Sequence, residues 1–372
     1  MALGSRLAGW CAAARLTEAD DIHLSSCTTP GSVIVPTALH MAAGGVFATW
    51  GDFVTATLAG YEAMIRLGYA IDGPRILARK IWPTLFSAAV GATALASRAW
   101  KLDVSQTAGA LATALAGSTG IAPPAMMSNS SRWLSLGIAA ENGLLAARAA
   151  KDGVLGDVQL LERHTGRIAG VKISRRRLLE NPGKFLFDEI GLKPYPIARQ
   201  ALAAVEACRE LIGGNIRGIT TITVKVPSAQ AKVIDQPFWP LNRMQSIAGV
   251  QYLIALALLA PEHLMDFDRS PPFETSALQS LAQKVRVRAD SRLDAQYPET
   301  WPARVVVERW GKHRSALVSH PRGDAPNPMQ WDDVLNKAGR YQGVLTQIGA
   351  IEPNDPFPSS ILDALPGGDR YS

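Results

Sequence analysis

Apolar residues recur at helical spacing through most of the first half of the chain. In Asp52–Ala70, the residues Val54, Leu58, Tyr61, Ile65 and Leu67 fall near one face, and Glu62 and Arg66 stand four apart on the polar side. Gly68 and the Asp72-Gly73-Pro74 turn predict where that helix closes. Leu85–Lys101 is apolar almost all round and rich in Ala, Gly and Ser, so it predicts a buried central helix closely approached by its neighbours. Val104–Ala116 and Ser135–Lys151 continue the pattern, and no strand alternation interrupts it between Val33 and Leu160.

The period changes further along. One more helix, Ala198–Leu211, precedes a stretch in which Ile222, Val224 and Val226 alternate with Thr221, Thr223 and Lys225. Lys284–Arg288 and Val305–Trp310 read as two further strands, with a helix over Ser246–Leu259 between them. Helical patterning returns from Trp331 to Ile348. The prediction is a mostly α protein: a large all-α domain over 1–185, a smaller α+β lid over 186–322, and a tail, 323–372, that packs back on the helical domain.

Composition narrows the function classes. With 47% hydrophobic and 19% charged residues, the chain can bury large cores, and disorder is excluded. The net charge of +6 is dispersed apart from Ser174-Arg175-Arg176-Arg177, so a nucleic-acid partner is not expected. A basic surplus suits small polyanionic substrates, and equally a merely soluble surface. The most apolar run, Leu85–Ala96, is far shorter than the roughly 20 residues that span a bilayer, so no membrane partner is expected. Cys11, Cys27 and Cys208 form no CxxC pair, and the N-terminus lacks a long apolar core. A cytoplasmic protein without disulfides is the expectation.

The common cofactor motifs are missing. No strand leads into GxGxxG, no GxxxxGK[ST] or GxSxG occurs, and the six histidines form neither HxxxH nor HExxH, so no metal site is predicted. The densest chemistry is Glu18-Ala19-Asp20-Asp21-Ile22-His23 followed by Thr28-Thr29-Pro30-Gly31-Ser32. Carboxylates and an imidazole so close can form an acid/base cluster, or a solvated loop in which Asp20 or Asp21 caps a turn. Arg79-Lys80 before the buried helix, Ser130-Ser131-Arg132-Trp133, and Lys193-Pro194-Tyr195-Pro196 with Arg199-Gln200 are the other concentrations. Arg79-Lys80 reads as an anion contact near a helix N-terminus or as ordinary solvated charge.

Several of these stretches occur in a familiar order. DDIHLSSCTTPGSVIVPTAL at 20–39, GYEAMIRLGYAI at 60–71, WPTLFSAAVGATALASRAWKLD at 82–103 and SRWLSLGIAAENGLLAARAAKDG at 131–153 come first. KPYP at 193–196, VQYLIALALL at 250–259 and HPRGDAPNPMQWDDVLNKA at 320–338 follow. The sequence resembles the MmgE/PrpD family of 2-methylcitrate dehydratase and cis-aconitate decarboxylase. The resemblance implies an all-α domain with an α+β lid, a site in the cleft between them, a homodimer and no cofactor. It also implies further helices ahead of the DD-x-H segment, which this chain reaches after only a few turns.

Carried over position by position, the resemblance puts site roles on Glu18, Asp21, Lys193 and Tyr252. The family histidines fall on Thr29, Trp82, Ser135 and Ala198, a family threonine on Ile22, and a family lysine on Arg132. Imidazoles shuttle protons near neutral pH, so their loss argues against a simple copy of either named reaction. The expectation is a dehydratase-like lyase acting on a small di- or tricarboxylic acid. In it Lys193 or His23 takes a proton, Tyr252 or His23 returns one to the leaving hydroxyl, and Arg132 and Lys80 hold carboxylates. Thr29 can hydrogen-bond a carboxylate but cannot titrate near neutral pH. A cofactor-independent epimerase or isomerase, or a non-catalytic family member, are the alternatives.

Overall fold

A computed structural model describes residues 6–123, 131–269 and 272–363. The first part is helical throughout: α1 Arg6–Leu16, α2 Gly31–Ala43, α3 Trp50–Ala70, α4 Gly73–Ala78, α5 Pro83–Ala99, α6 Val104–Ala116 and α7 Ser131–Lys151. The expected buried helix is α5. It is covered on all sides from Pro83 to Thr93 and packs against α2, α3, α6 and α7. Small side chains let the backbones close in. A Cβ added to Gly143 of α7 would lie 2.3 Å from the Ala89 carbonyl oxygen of α5. The buried Thr93 hydroxyl donates to the Ala89 and Gly143 carbonyls, so it is satisfied at this contact.

Local chemistry sets the helix ends. The Thr49 hydroxyl accepts the Asp52 N–H at the start of α3, and Asp103 and Gln106 form a capping box on α6. Glu62 and Arg66 pair at 2.6 Å, as their spacing predicts, but they do not simply face water. Glu62 accepts the N–H groups of Leu186 and Phe187, and Arg66 donates to the carbonyls of Glu180 and Lys184. The pair thereby docks the 180–187 segment onto α3.

The three expected strands lie in one sheet, with a fourth that the sequence pattern did not reveal. The order is Val285–Ala289, Ile219–Val226, Ala303–Arg309, Lys312–Val318; the first pair is parallel and the others antiparallel. The edge strand Lys312–Val318 is largely exposed on both faces, which is why it lacks the apolar alternation. Helices Arg199–Ile212 and Val250–Leu259 cover the sheet and share its core with Ile222, Val224 and Val305. The helix expected over Ser246–Leu259 breaks at Gly249, whose backbone is extended between Arg243–Ala248 and Val250–Leu259.

The helical part has its own core around Ile34, Met64, Leu95 and Leu136. The tail folds into Trp331–Ala338 and Gln342–Ile348, then runs beside the start of α3. There Trp50 and Gly51 donate to the Asp355 and Pro353 carbonyls, and Phe357 packs on Trp50 and Phe53. Among the described residues no helix is long and apolar enough to cross a membrane, and Cys11, Cys27 and Cys208 are buried and unpaired.

The α5–α7 contact gives a direct test. Alanine is the better helix former by about 1 kcal/mol, yet Gly143→Ala should lower stability in urea denaturation, because overpacking costs roughly 1–3 kcal/mol. An unchanged or raised midpoint would contradict the close approach.

Candidate active site

A two-residue ladder builds the site. Asp21 pairs with Leu192 and Ile22 with Gly191 in antiparallel register, which sets Lys193 opposite Asp20. The Leu192 N–H also donates to the Gly323 carbonyl at 2.7 Å. Gly323, at φ +93°, comes so close that an added Cβ would sit 1.8 Å from the Leu192 carbonyl oxygen. Three distant segments are thereby held within one turn of each other.

Lys193 is almost fully enclosed, and its Nζ lies 2.9 Å from Glu18 Oε2 and 2.6 Å from Asp20 Oδ1. Arg15, at the end of α1, pairs with the other Glu18 oxygen and with Asp20. Asp21 accepts the Gly31 N–H at the head of α2, at 2.9 Å, and the Tyr61 hydroxyl. Lys337 reaches in from the tail helix and donates to the Ala19 carbonyl at 2.6 Å. Arg243 donates to the Thr17 carbonyl, and Arg132 stacks 3.9 Å above the Trp82 ring. Arg15, Arg132, Lys193, Arg243 and Lys337 thus share one electrostatic neighbourhood with Glu18, Asp20 and Asp21, and Arg243 also feels Asp266 and Asp268. Among the described residues, the buried Arg132 Nε and Arg243 Nη1 have no hydrogen-bond partner.

Burial divides the acids. It would raise Glu18, but Arg15 and Lys193 outweigh it and hold that carboxyl down at about 2. Asp21 has no cation in contact. Burial and the neighbouring Asp20 push it up to about 7, against the pull of the Gly31 N–H and the Tyr61 hydroxyl. Burial, with Lys193 close by, lowers Lys337 to about 8. Two groups of opposite type are thus brought close to neutrality in one buried cluster.

Family comparison agrees with this architecture. The family model of the MmgE/PrpD N-terminal domain matches residues 9–176, and that of the MmgE/PrpD C-terminal domain matches residues 195–347. The chain belongs to the MmgE/PrpD family. No curated protein matches it. The family includes dehydratase-like enzymes.

Of the site residues expected in this MmgE/PrpD chain, the cluster unites Glu18, Asp21, Lys193, Arg132 and Trp82. The two departures at Trp82 and Arg132 belong together: the indole in the family histidine's place is the platform for the guanidinium in the lysine's place. Thr29 is buried nearby, and its N–H donates to the Thr84 hydroxyl at the head of α5.

The other three expected residues stand elsewhere. The His23 Nδ1 accepts the Ser26 N–H, which leaves the proton on Nε2, 3.6 Å from Glu189. His23 therefore faces Glu189, whose carboxyl it helps hold down at about 2. Tyr252 lies in the core of the sheet-bearing part, its hydroxyl donating to the Phe273 carbonyl and its ring edge-on to Trp239. Burial pushes that phenol up to about 12. Lys80 is exposed in the turn after α4, at φ +66°, and makes no ion pair with the cluster among the described residues. Arg15, Asp20, Arg243 and Lys337 are the members that the sequence motifs did not single out as site residues. Asp20 carried a signal, as the first residue of the DD pair.

The sign of the Asp21 shift is testable. Its folded value lies above its ordinary 3.8, so its contribution to stability is full below that pH and is lost as pH rises through about 7. Glu18 acts oppositely, its contribution being present above 4.5 and lost as pH falls toward about 2. Asp21→Asn should therefore flatten the decline in urea-unfolding free energy between pH 4 and pH 7. A variant with the wild-type slope would show that Asp21 does not hold its proton in the folded protein.

Proposed function

We propose that this chain is a dehydratase-like lyase acting on a small hydroxylated di- or tricarboxylic acid, with the charge cluster as its site. The observation that carries the reading is that one buried cluster holds Asp21, pushed up to about 7, and Lys337, lowered to about 8, beside Arg132 and Arg243. Substrate carboxylates would engage Arg132 Nε and Arg243 Nη1, the buried nitrogens of these two side chains that have no hydrogen-bond partner among the described residues. The Asp21 carboxylate takes the proton next to a substrate carboxylate, and the carbanion electron pair forms the double bond. The C–O bond breaks, and Lys337 gives its proton to the departing hydroxide, which leaves as water. Transfer of the Asp21 proton back to Lys337 restores the starting state. In this reading Lys193 fixes Glu18 and Asp20 and supplies positive potential instead of acting as the base.

The reaction needs no cofactor in this reading. A homodimer, which the family resemblance implies, is compatible with it and forms part of the proposal. A second reading, an epimerase or isomerase, is favoured by one feature: Thr29 and Trp82 stand where imidazoles would protonate a leaving group. Asp21 would then remove a proton that returns to the same carbon, with no loss of water.

Proton NMR of citrate- and malate-like acids incubated with the protein in deuterated water separates the two. The lyase reading predicts olefinic product signals, and the isomerase reading predicts deuterium at the α carbon of an otherwise intact acid. Asp21→Asn should reduce either rate about 10²–10⁴-fold, and Arg132→Lys should raise KM through loss of the bidentate, stacked geometry. Neither product formation nor exchange across such a panel would overturn the proposal.

A further inference from the structure

The basic run at Arg175–Arg177 and the Arg79-Lys80 pair play no part in the cluster. Part of each is brought to a second place. The Ser174 N–H donates to the Ala70 carbonyl at 2.9 Å, which lays the 172–177 segment along the end of α3 and the short α4. Between them is a cavity of about 440 Å³ whose walls carry Arg75, Arg79, Lys172 and Arg177, with Asp72 as its single carboxylate. Ile71 and Ile76 lie beneath it, almost fully buried.

Asp72 serves two of the four cations, Arg75 at 3.1 Å and Arg177 at 3.3 Å. Arg177 is further fixed by donating to the Tyr69 carbonyl and lying over the Tyr69 ring. Among the described residues, Arg79 and Lys172 have neither an ion pair nor a side-chain hydrogen bond. Like charges gathered around a concave, partly apolar wall repel one another and concentrate positive potential in the space between them. A volume of this size is that of a small-molecule site.

We infer that this cavity binds a small phosphate-bearing anion, its phosphoryl oxygens meeting Arg79, Lys172 and Arg177. The two unpaired cations match the double negative charge of a phosphoryl group. Cations approaching from separate segments suit a tetrahedral anion better than a planar carboxylate, which two parallel N–H donors would satisfy. The surface pair Arg75–Asp72 contributes little by itself and can rearrange around the ligand.

The probe is inorganic pyrophosphate, titrated calorimetrically into the full chain at low ionic strength. Saturable one-to-one binding is expected, with citrate binding more weakly in this cavity. Arg79→Ala and Lys172→Ala each remove one charged hydrogen-bonding group and should each weaken binding about tenfold. Both side chains are exposed, so neither change should perturb the fold. Lys172→Arg should retain affinity, and Arg132→Ala should leave pyrophosphate binding unchanged. No saturable binding at millimolar pyrophosphate, equal binding by the Arg79→Ala/Lys172→Ala double variant, or loss in Arg132→Ala alone would each overturn the inference.

Discussion

Everything at the junction of the two cores depends on one buried ammonium. Lys193 sits between Glu18 and Asp20, and Arg15 closes the other side of the same carboxylates. Ions taken out of water lose several kcal/mol of solvation each, and only close partners make that tolerable. The segment after α1, the 191–193 segment and the α1 terminus must therefore stay together. Lys337 adds the tail helix to the same assembly through the Ala19 carbonyl. Removing one partner would leave an uncompensated buried charge, a loss of about 3–5 kcal/mol.

The same constraint separates the acids. Glu18 touches two cations and stays ionised, whereas Asp21, two positions past Ala19, touches a backbone N–H and a phenol and is pushed toward neutrality. Neighbouring carboxyls in one loop thereby take different roles, one holding charge and the other able to move a proton. The family's imidazoles are replaced, but a carboxyl and an amine tuned by burial can serve the same pH range. The tryptophan and arginine at two of the replaced positions are not independent losses, because they stack on each other beside Arg15.

Much of this was legible in the sequence. Helical spacing located α3, α5, α6 and α7, and period-2 alternation located three strands of one sheet. The DD loop and Lys193 stood out by residue type. Arg243 and Lys337 did not, because a basic residue on a half-polar helix looks like any solvated one until the chain brings it across. Tyr252 shows the converse: on a helix apolar on every face, its ring packs inward and its hydroxyl turns to a nearby carbonyl. The exposed edge strand and the break at Gly249 were hidden for related reasons, since neither leaves a hydrophobic period behind.

If burial makes Asp21 a proton carrier near neutral pH, its carboxyl must titrate there. Carbon-13 NMR of the side-chain carboxyl in selectively labelled protein measures this directly, with Asp21→Asn identifying the resonance. A titration midpoint at about 7 is expected. A midpoint near the ordinary value of 3.8 would contradict it, and would leave the cluster as a structural ion network with no group poised to take the substrate's proton.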